Sequence, residues 1–149
     1  MIRVTSYTED YKQKLLNGLT DFTYEQKLEL CKNLENIGEN EEFLICLDQD
    51  ENFVGFSKTT SLTKGFINLD YIYVIPSLRR DKNGSVILVA VMNRAVNRLV
   101  LGMFAKCESS NQSAMAFLKA RGFIVSEEQN GVSSLMKSLM HMYKTHHDH

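Results

Sequence analysis

The chain has 149 residues, 44% of them apolar and 23% charged, and its 17 Lys and Arg face 18 Asp and Glu for a formal net charge of −1. That length suits one domain with its own core, and the charge balance gives no overall attraction to nucleic acid or to an acidic membrane surface. Eight glycines, one proline and three cysteines exclude collagen-like and disulfide-dense scaffolds, and the supply of large aliphatic and aromatic residues excludes a disordered chain.

Residues 2–7 (Ile2, Arg3, Val4, Thr5, Ser6, Tyr7) alternate in polarity and predict a first strand. Tyr11, Leu15, Leu19 and Phe22 recur near helical spacing, and Tyr24, Leu28, Cys31 and Leu34 repeat it, so two helices follow. The polar stretch 36–40, with Gly38, stops them. The apolar run 43–47 predicts a buried strand, 48–52 a turn, and 53–56 its hairpin partner. Residues 65–74, rich in aromatic and β-branched side chains, predict another strand that ends at Pro76. Over 86–99, Leu88, Met92, Ala95 and Leu99 form one stripe with Asn93, Arg94, Asn97 and Arg98 opposite, which predicts a helix. Residues 100–105 read as a strand, and Ala114, Phe117, Leu118 and Arg121 as a short helix closed by Gly122. A strand pair, 123–126 and 134–140, ends the pattern. The order β-α-α-β-β-β-α-β-α-β-β predicts an α/β (α+β) domain over 1–140, with one mixed sheet flanked by helices.

Cys31, Cys46 and Cys107 are widely spaced, with no CxxC pair, which predicts free thiols in a reducing cytoplasm. The first ten residues are too polar for a signal peptide, and the longest apolar run, 86–92, falls far short of the ~20 residues that span a bilayer. His141, His146, His147 and His149 lie together at the end with Asp148. A structural zinc needs four ligands held by a fold, so 141–149 reads as a polar, frayed tail and no metal is expected.

The segment 73–85 runs from strand through polar loop to helix start. Backbone N–H groups without helical partners, and the positive end of the helix dipole, converge in such a place. Arg79, Arg80 and Lys82 add formal charge, Gly84 permits close approach of the backbone, and Asn83 tolerates positive φ. The pattern suits a pyrophosphate, whose several oxygens can each take a donor; an ordinary turn with solvated charges is the plainer reading of the same residues.

Here the sequence resembles the GNAT superfamily of acetyl-CoA-dependent N-acetyltransferases. Val74, Pro76, Arg79 and Gly84 match the family's V-x-P-x-x-[QR]-x-x-G-x-[GA] loop, and Asn111, Ala114, Phe117, Gly122 and Phe123 match its N-x-x-A-x-x-[FL]-Y-x-x-x-G-F segment. The resemblance implies a largely antiparallel central sheet in the acyl-CoA N-acyltransferase fold, and direct attack of a primary amine on acetyl-CoA in a ternary complex. It implies that Val74 offers main-chain groups to the pantetheine arm, beside a splay between its strand and the one from Val100. Residues Arg79 to Ser85 (Arg79, Arg80, Lys82, Asn83, Gly84 and Ser85 among them) would hold the pyrophosphate, and Asn111 would hydrogen-bond the pantetheine or cap its helix. Two positions depart from the pattern. Lys82 stands where the family has its first loop glycine, and Leu118 where many members carry a tyrosine that protonates the departing thiolate.

An attacking amine must be neutral, so a base has to take its proton. Strand alternation places Asn68, Asp70, Ile72 and Val74 on one side, and Asp70 is the expected base, one step from Asn68, where many relatives have a glutamate. Tyr71 and Tyr73 could donate a proton to the thiolate, with Tyr73 the candidate carried forward, although core packing is the plainer reading of both. Cys107 has no nearby histidine to activate it. Asp21, Glu25, Glu29, Glu35, Glu39, Glu41 and Glu42 make the helical region acidic, which favours a cationic acceptor, whether small molecule or protein. A catalytically silent CoA-binding module and a ligand-free interaction protein of the same fold are the other readings. The oligomeric state is open, with a homodimer allowed.

Overall fold

The computed structural model describes residues 2–147 except Lys64 and Asp81, with side chains as far as Tyr143. Seven strands form one sheet: β1 (Ile2–Ser6), β2 (Glu41–Asp48), β3 (Phe53–Ser61), β4 (Phe66–Val74), β5 (Gly102–Glu108), β6 (Ile124–Gln129) and β7 (Val132–Ser138). Their order across the sheet is β1-β2-β3-β4-β5-β7-β6. β1 and β2 pair antiparallel, as do β5 with β7 and β7 with β6, whereas β4 and β5 run parallel. The helices are α1 (Lys12–Gly18), α2 (Tyr24–Glu35), α3 (Asn83–Asn97), α4 (Gln112–Ala120) and α5 (Met140–His147). This is the mixed, helix-flanked sheet that the pattern predicts.

The chain divides into two compact units, Met1–Thr59 with Tyr71–Val91, and Thr60–Asp70 with Met92–His149. The first has a core of Leu15, Leu19, Leu30, Leu34, Phe43, Ile45, Leu47, Phe53, Phe56 and Tyr73. Each such side chain contributes roughly 1.5–3 kcal/mol by leaving water. Leu19 and Phe22, predicted on the first helix, lie beyond its end at Gly18. A turn closed by the Phe22 N–H to Leu19 carbonyl bond (3.1 Å) keeps both on the core, so the helical spacing persists without the helix. α2 then starts at a capping box. Thr23 accepts from the Gln26 N–H (3.1 Å), and the Gln26 side chain accepts from the Thr23 N–H (2.8 Å). β3 passes so close to β4 that a Cβ at Gly55 would overlap the Tyr73 carbonyl oxygen, which only glycine avoids.

In the second unit, Ile67, Met103, Ala105 and Leu135 are buried on the strands, with Ala95 and Leu118 from the helices and Leu139 just after β7. One expectation fails here. Leu99 does not continue the α3 stripe: the helix stops at Asn97, and Leu99 is 74% exposed with a φ of 64°. Val100, 7% exposed, takes its place in the core. After β7 the chain continues into a further helix. The Ser138 hydroxyl accepts from the Met140 N–H (3.2 Å), Leu139 is fully buried, and the Tyr143 hydroxyl donates to the Val100 carbonyl, so residues from Met140 form α5. The side chains of His146 and His147, and residues 148 and 149, lie outside the described residues.

Candidate active site

The first unit carries the strand-to-helix segment. Ile75 is still tied to β3, its N–H donating to the Val54 carbonyl (2.9 Å). Pro76 then opens a single 3-10 turn, Pro76–Leu78, because its fixed φ suits a first helical position and its missing N–H costs nothing there. Residues 79–82 lead into α3, which begins at Asn83, three residues before the predicted start. Asn83, Gly84 and Ser85 therefore form its first turn, and the Lys82 carbonyl accepts from the Val86 N–H (3.2 Å). Helix geometry gives first-turn N–H groups no intrahelical partner and points them outward along the positive end of the dipole. Lys82 has a φ of 63°, the left-handed conformation that glycine adopts freely. Its side chain and that of Arg80 are exposed. The Asn83 side chain is already used, Nδ2 donating back to the Leu78 carbonyl (3.0 Å).

The Arg79 guanidinium is engaged by protein groups. Its Nε donates to the Val74 carbonyl (2.8 Å), its Nη2 donates to Asp21 Oδ2 (2.8 Å), and its guanidinium carbon lies 5.3 Å from the centre of the Tyr73 ring. The Tyr73 hydroxyl donates to the other oxygen, Asp21 Oδ1. Those bonds, that from Tyr73 foremost, hold the Asp21 carboxyl below its ordinary value. Burial, and then the bond to Asp21, push the Tyr73 phenol far upward, so it keeps its proton at neutral pH. Phe22 meets Tyr73 edge-on at 5.3 Å between ring centres, and Phe56 stacks beneath Tyr71 at 5.4 Å. A pocket of about 320 Å³ opens beside the start of the loop, lined by Gly18, Thr20, Phe53, Ile75, Pro76 and Ser77.

Sequence reasoning counted Asp21 only among the acids of the helical region. Among the described residues, Asp21 pairs with Arg79, Glu35 with Lys12 (2.8 Å) and Glu41 with Lys58 (3.0 Å). The negative character expected there is partly cancelled.

In the second unit, Asp70 is exposed on β4 and accepts from the Thr60 hydroxyl and from Asn68 Nδ2 (2.6 Å), which fix its rotamer. Asn111 caps α4, its side chain accepting from the Ala114 N–H (3.1 Å). Leu118 is buried, 7% exposed. The Cys107 thiol is raised by burial and donates to the Glu108 carbonyl (3.3 Å). All three cysteines are free. Among the described residues no group of His, Cys, Asp or Glu is placed to hold a metal ion, and no helix is long and apolar enough to cross a membrane.

A single mixed sheet flanked by helices, with a loop that leads into the amino terminus of α3, defines an α/β protein. The model of the acetyltransferase (GNAT) family matches residues 6–123, and the chain belongs to that family. Solved structures share the fold. A GNAT-family acetyltransferase from Staphylococcus aureus superposes with a TM-score of 0.75 at 20% identity, over 93% of this chain and 99% of that one. The PaiA N-acetyltransferase of Thermoplasma acidophilum, solved with coenzyme A, gives 0.74 at 16% identity, over 93% and 99%. Mutant forms of the spermidine/spermine N-acetyltransferase SpeG of Vibrio cholerae give 0.75 at 12% identity, over 97% and 99%. No curated protein sequence matches the chain.

Proposed function

We propose that this protein is an N-acetyltransferase that moves an acetyl group from acetyl-CoA to a primary amine by direct attack while both are bound. The observation that carries the reading is the cradle at residues 79–85, in a chain of the GNAT family. Its donors suit the pyrophosphate of CoA. The first turn of α3 supplies N–H groups, Gly84 lets the backbone come near, and Arg80 and Lys82 supply charge. Val74 offers main-chain groups to the pantetheine, its carbonyl keeping one lone pair beside the bond from Arg79. Asn111, whose Oδ1 is engaged in capping, has its amide nitrogen left to offer.

Acetyl-CoA supplies an activated acyl thioester; the remaining work falls to side chains. Asp70 takes the proton of the incoming ammonium, each carboxylate oxygen retaining acceptor capacity beyond its one bond from Thr60 or Asn68. Tyr73 is the proton donor for the leaving thiolate, and its hydroxyl has to exchange Asp21 for the sulfur in order to act. Leu118 has no proton to give. A CoA thiol of pKa near ~8.5 leaves readily even so.

Titration with acetyl-CoA should raise the melting temperature, as any ligand selective for the folded form does. Release of the free CoA thiol should then single out an acceptor from a panel of small and peptidic amines. No thermal shift and no heat in calorimetry would sink the reading. The buried Leu118 favours one alternative, a silent CoA-binding module, which predicts a shift with acetyl-CoA and no amine acetylated.

A further inference from the structure

We propose that Asp21 is a positioning residue for the CoA loop, acting through Arg79. The inference rests on the reading above, that residues 79–85 hold the pyrophosphate. Asp21 lies between α1 and α2, in the turn that buries Leu19 and leads to the Thr23 capping box, so its backbone is held on both sides. Its Oδ1 accepts from Tyr73 and its Oδ2 from Arg79. Arg79 is the first residue of the loop, and its side chain reaches back across the Pro76–Leu78 turn to the Val74 carbonyl. The guanidinium thus joins the last residue of β4 to the first of the loop, and Asp21 fixes the free side of its fork. At the other end the Asn83 side chain ties the start of α3 to the Leu78 carbonyl. The loop between is pinned at both ends by side chains.

The geometry argues against two simpler roles. Arg79 has its guanidinium engaged with protein, which leaves Arg80 and Lys82 as the loop's outward cations. Asp21 has its charge offset by Arg79 beside it, which makes it a poor seat for a substrate ammonium. Both side chains are near half exposure, so the pair adds little to global stability and its effect is on loop geometry.

The test is calorimetric titration of acetyl-CoA into the full chain and its variants. Asp21→Asn should weaken binding about fivefold, the upper worth of a half-exposed ion pair. Arg79→Gln should weaken it about tenfold, since two charged hydrogen bonds go. The double variant should bind within about twofold of Arg79→Gln alone, because Asp21 has nothing left to hold. Asp21→Glu should recover most of the loss. Once an acceptor is known, Asp21→Asn should raise KM for acetyl-CoA and leave KM for the amine alone. If Asp21→Asn does not fold, Arg79→Lys, which keeps the charge but cannot reach both partners, should show the same loss. Affinity unchanged or tighter in Asp21→Asn or Arg79→Lys overturns the inference, as does a double variant whose loss is the product of the two. Absence of binding by the parent protein overturns the acetyl-CoA reading itself, and this inference with it.

Discussion

At Lys82 the chain keeps a glycine's conformation without the glycine. Its φ of 63° places a Cβ against the following carbonyl, a strain of about 1–2 kcal/mol, and the ammonium it carries is a charge that glycine would lack. Strain and charge pull in opposite directions on substitution. Lys82→Gly should raise the stability of the free protein by about 0.5–1 kcal/mol, the strain relieved less the entropy a glycine adds to the unfolded chain. It should also weaken acetyl-CoA binding severalfold. Denaturant unfolding reads the first effect and calorimetry the second; a variant that is less stable would show that the loop is relaxed with lysine in place. Asp70 poses a different question, since Thr60 and Asn68 both donate to it and either would face a donor if one oxygen became an amide. Asp70→Asn should lower turnover by at least ~10²-fold, the lower worth of a positioned general base, with acetyl-CoA affinity nearly unchanged. Full activity in that variant would move the base elsewhere, to a water chain.

Two helix ends in the second unit share one motif with different residues. At α4 the Phe123 N–H donates to the Leu118 carbonyl and the Gly122 N–H to Lys119 (both 3.0 Å), with Gly122 at a φ of 97°. At α3 the Val100 N–H donates to Ala95 and the Leu99 N–H to Val96 (both 3.0 Å), with Leu99 at 64°. Both are Schellman ends, and only one has the residue that suits it. Leu99→Gly should therefore stabilise the protein by about 1 kcal/mol, by removing left-handed strain from a side chain that is 74% exposed and packs little. Gly122→Ala should destabilise it by a similar or larger amount. Equal and same-signed changes in the two variants would refute the comparison. The pair also explains what was legible. Gly122 announces its helix end in the sequence, whereas nothing marks Leu99, and its apolar side chain reads as one more member of the α3 stripe. The α5 segment was illegible for a related reason: its anchors, Leu139 and the Tyr143 hydroxyl bond to Val100, are tertiary, and the segment's own composition is polar. The strands and the loop 79–85 were legible because alternation, apolar runs and a lone proline are local signals. Asp21 was not, since its partner Arg79 lies 58 residues away and one acid among seven in that stretch carries no mark.

For the molecule as a whole, the response to alkali follows from groups that the first unit buries in their protonated forms. Cys46 on β2 has no exposed surface, and burial pushes its thiol up to about 11. Tyr73, in the same unit, is raised further by burial and by its bond to Asp21. A group whose folded value lies above its unfolded one holds a proton that the unfolded chain gives up. Its stabilising effect is complete below the unfolded value, near ~8.5 for a thiol, and disappears as pH rises through the folded one. Stability should thus be flat toward neutrality and fall between roughly pH 8.5 and 11, with Cys46 alone accounting for about 2–3 kcal/mol of the loss by linkage. Cys46→Ala tests this with the sign exposed. The variant should be less stable than the parent at pH 7, where it lacks a buried side chain, and should lose less on going to pH 10.5, so the two curves converge. Tyr73→Phe should flatten only the higher part of the fall, since the phenol titrates above the thiol. Denaturant midpoints across the alkaline range decide the matter: parallel curves for parent and Cys46→Ala would mean that the thiol titrates alike folded and unfolded, and that burial on β2 does not hold its proton.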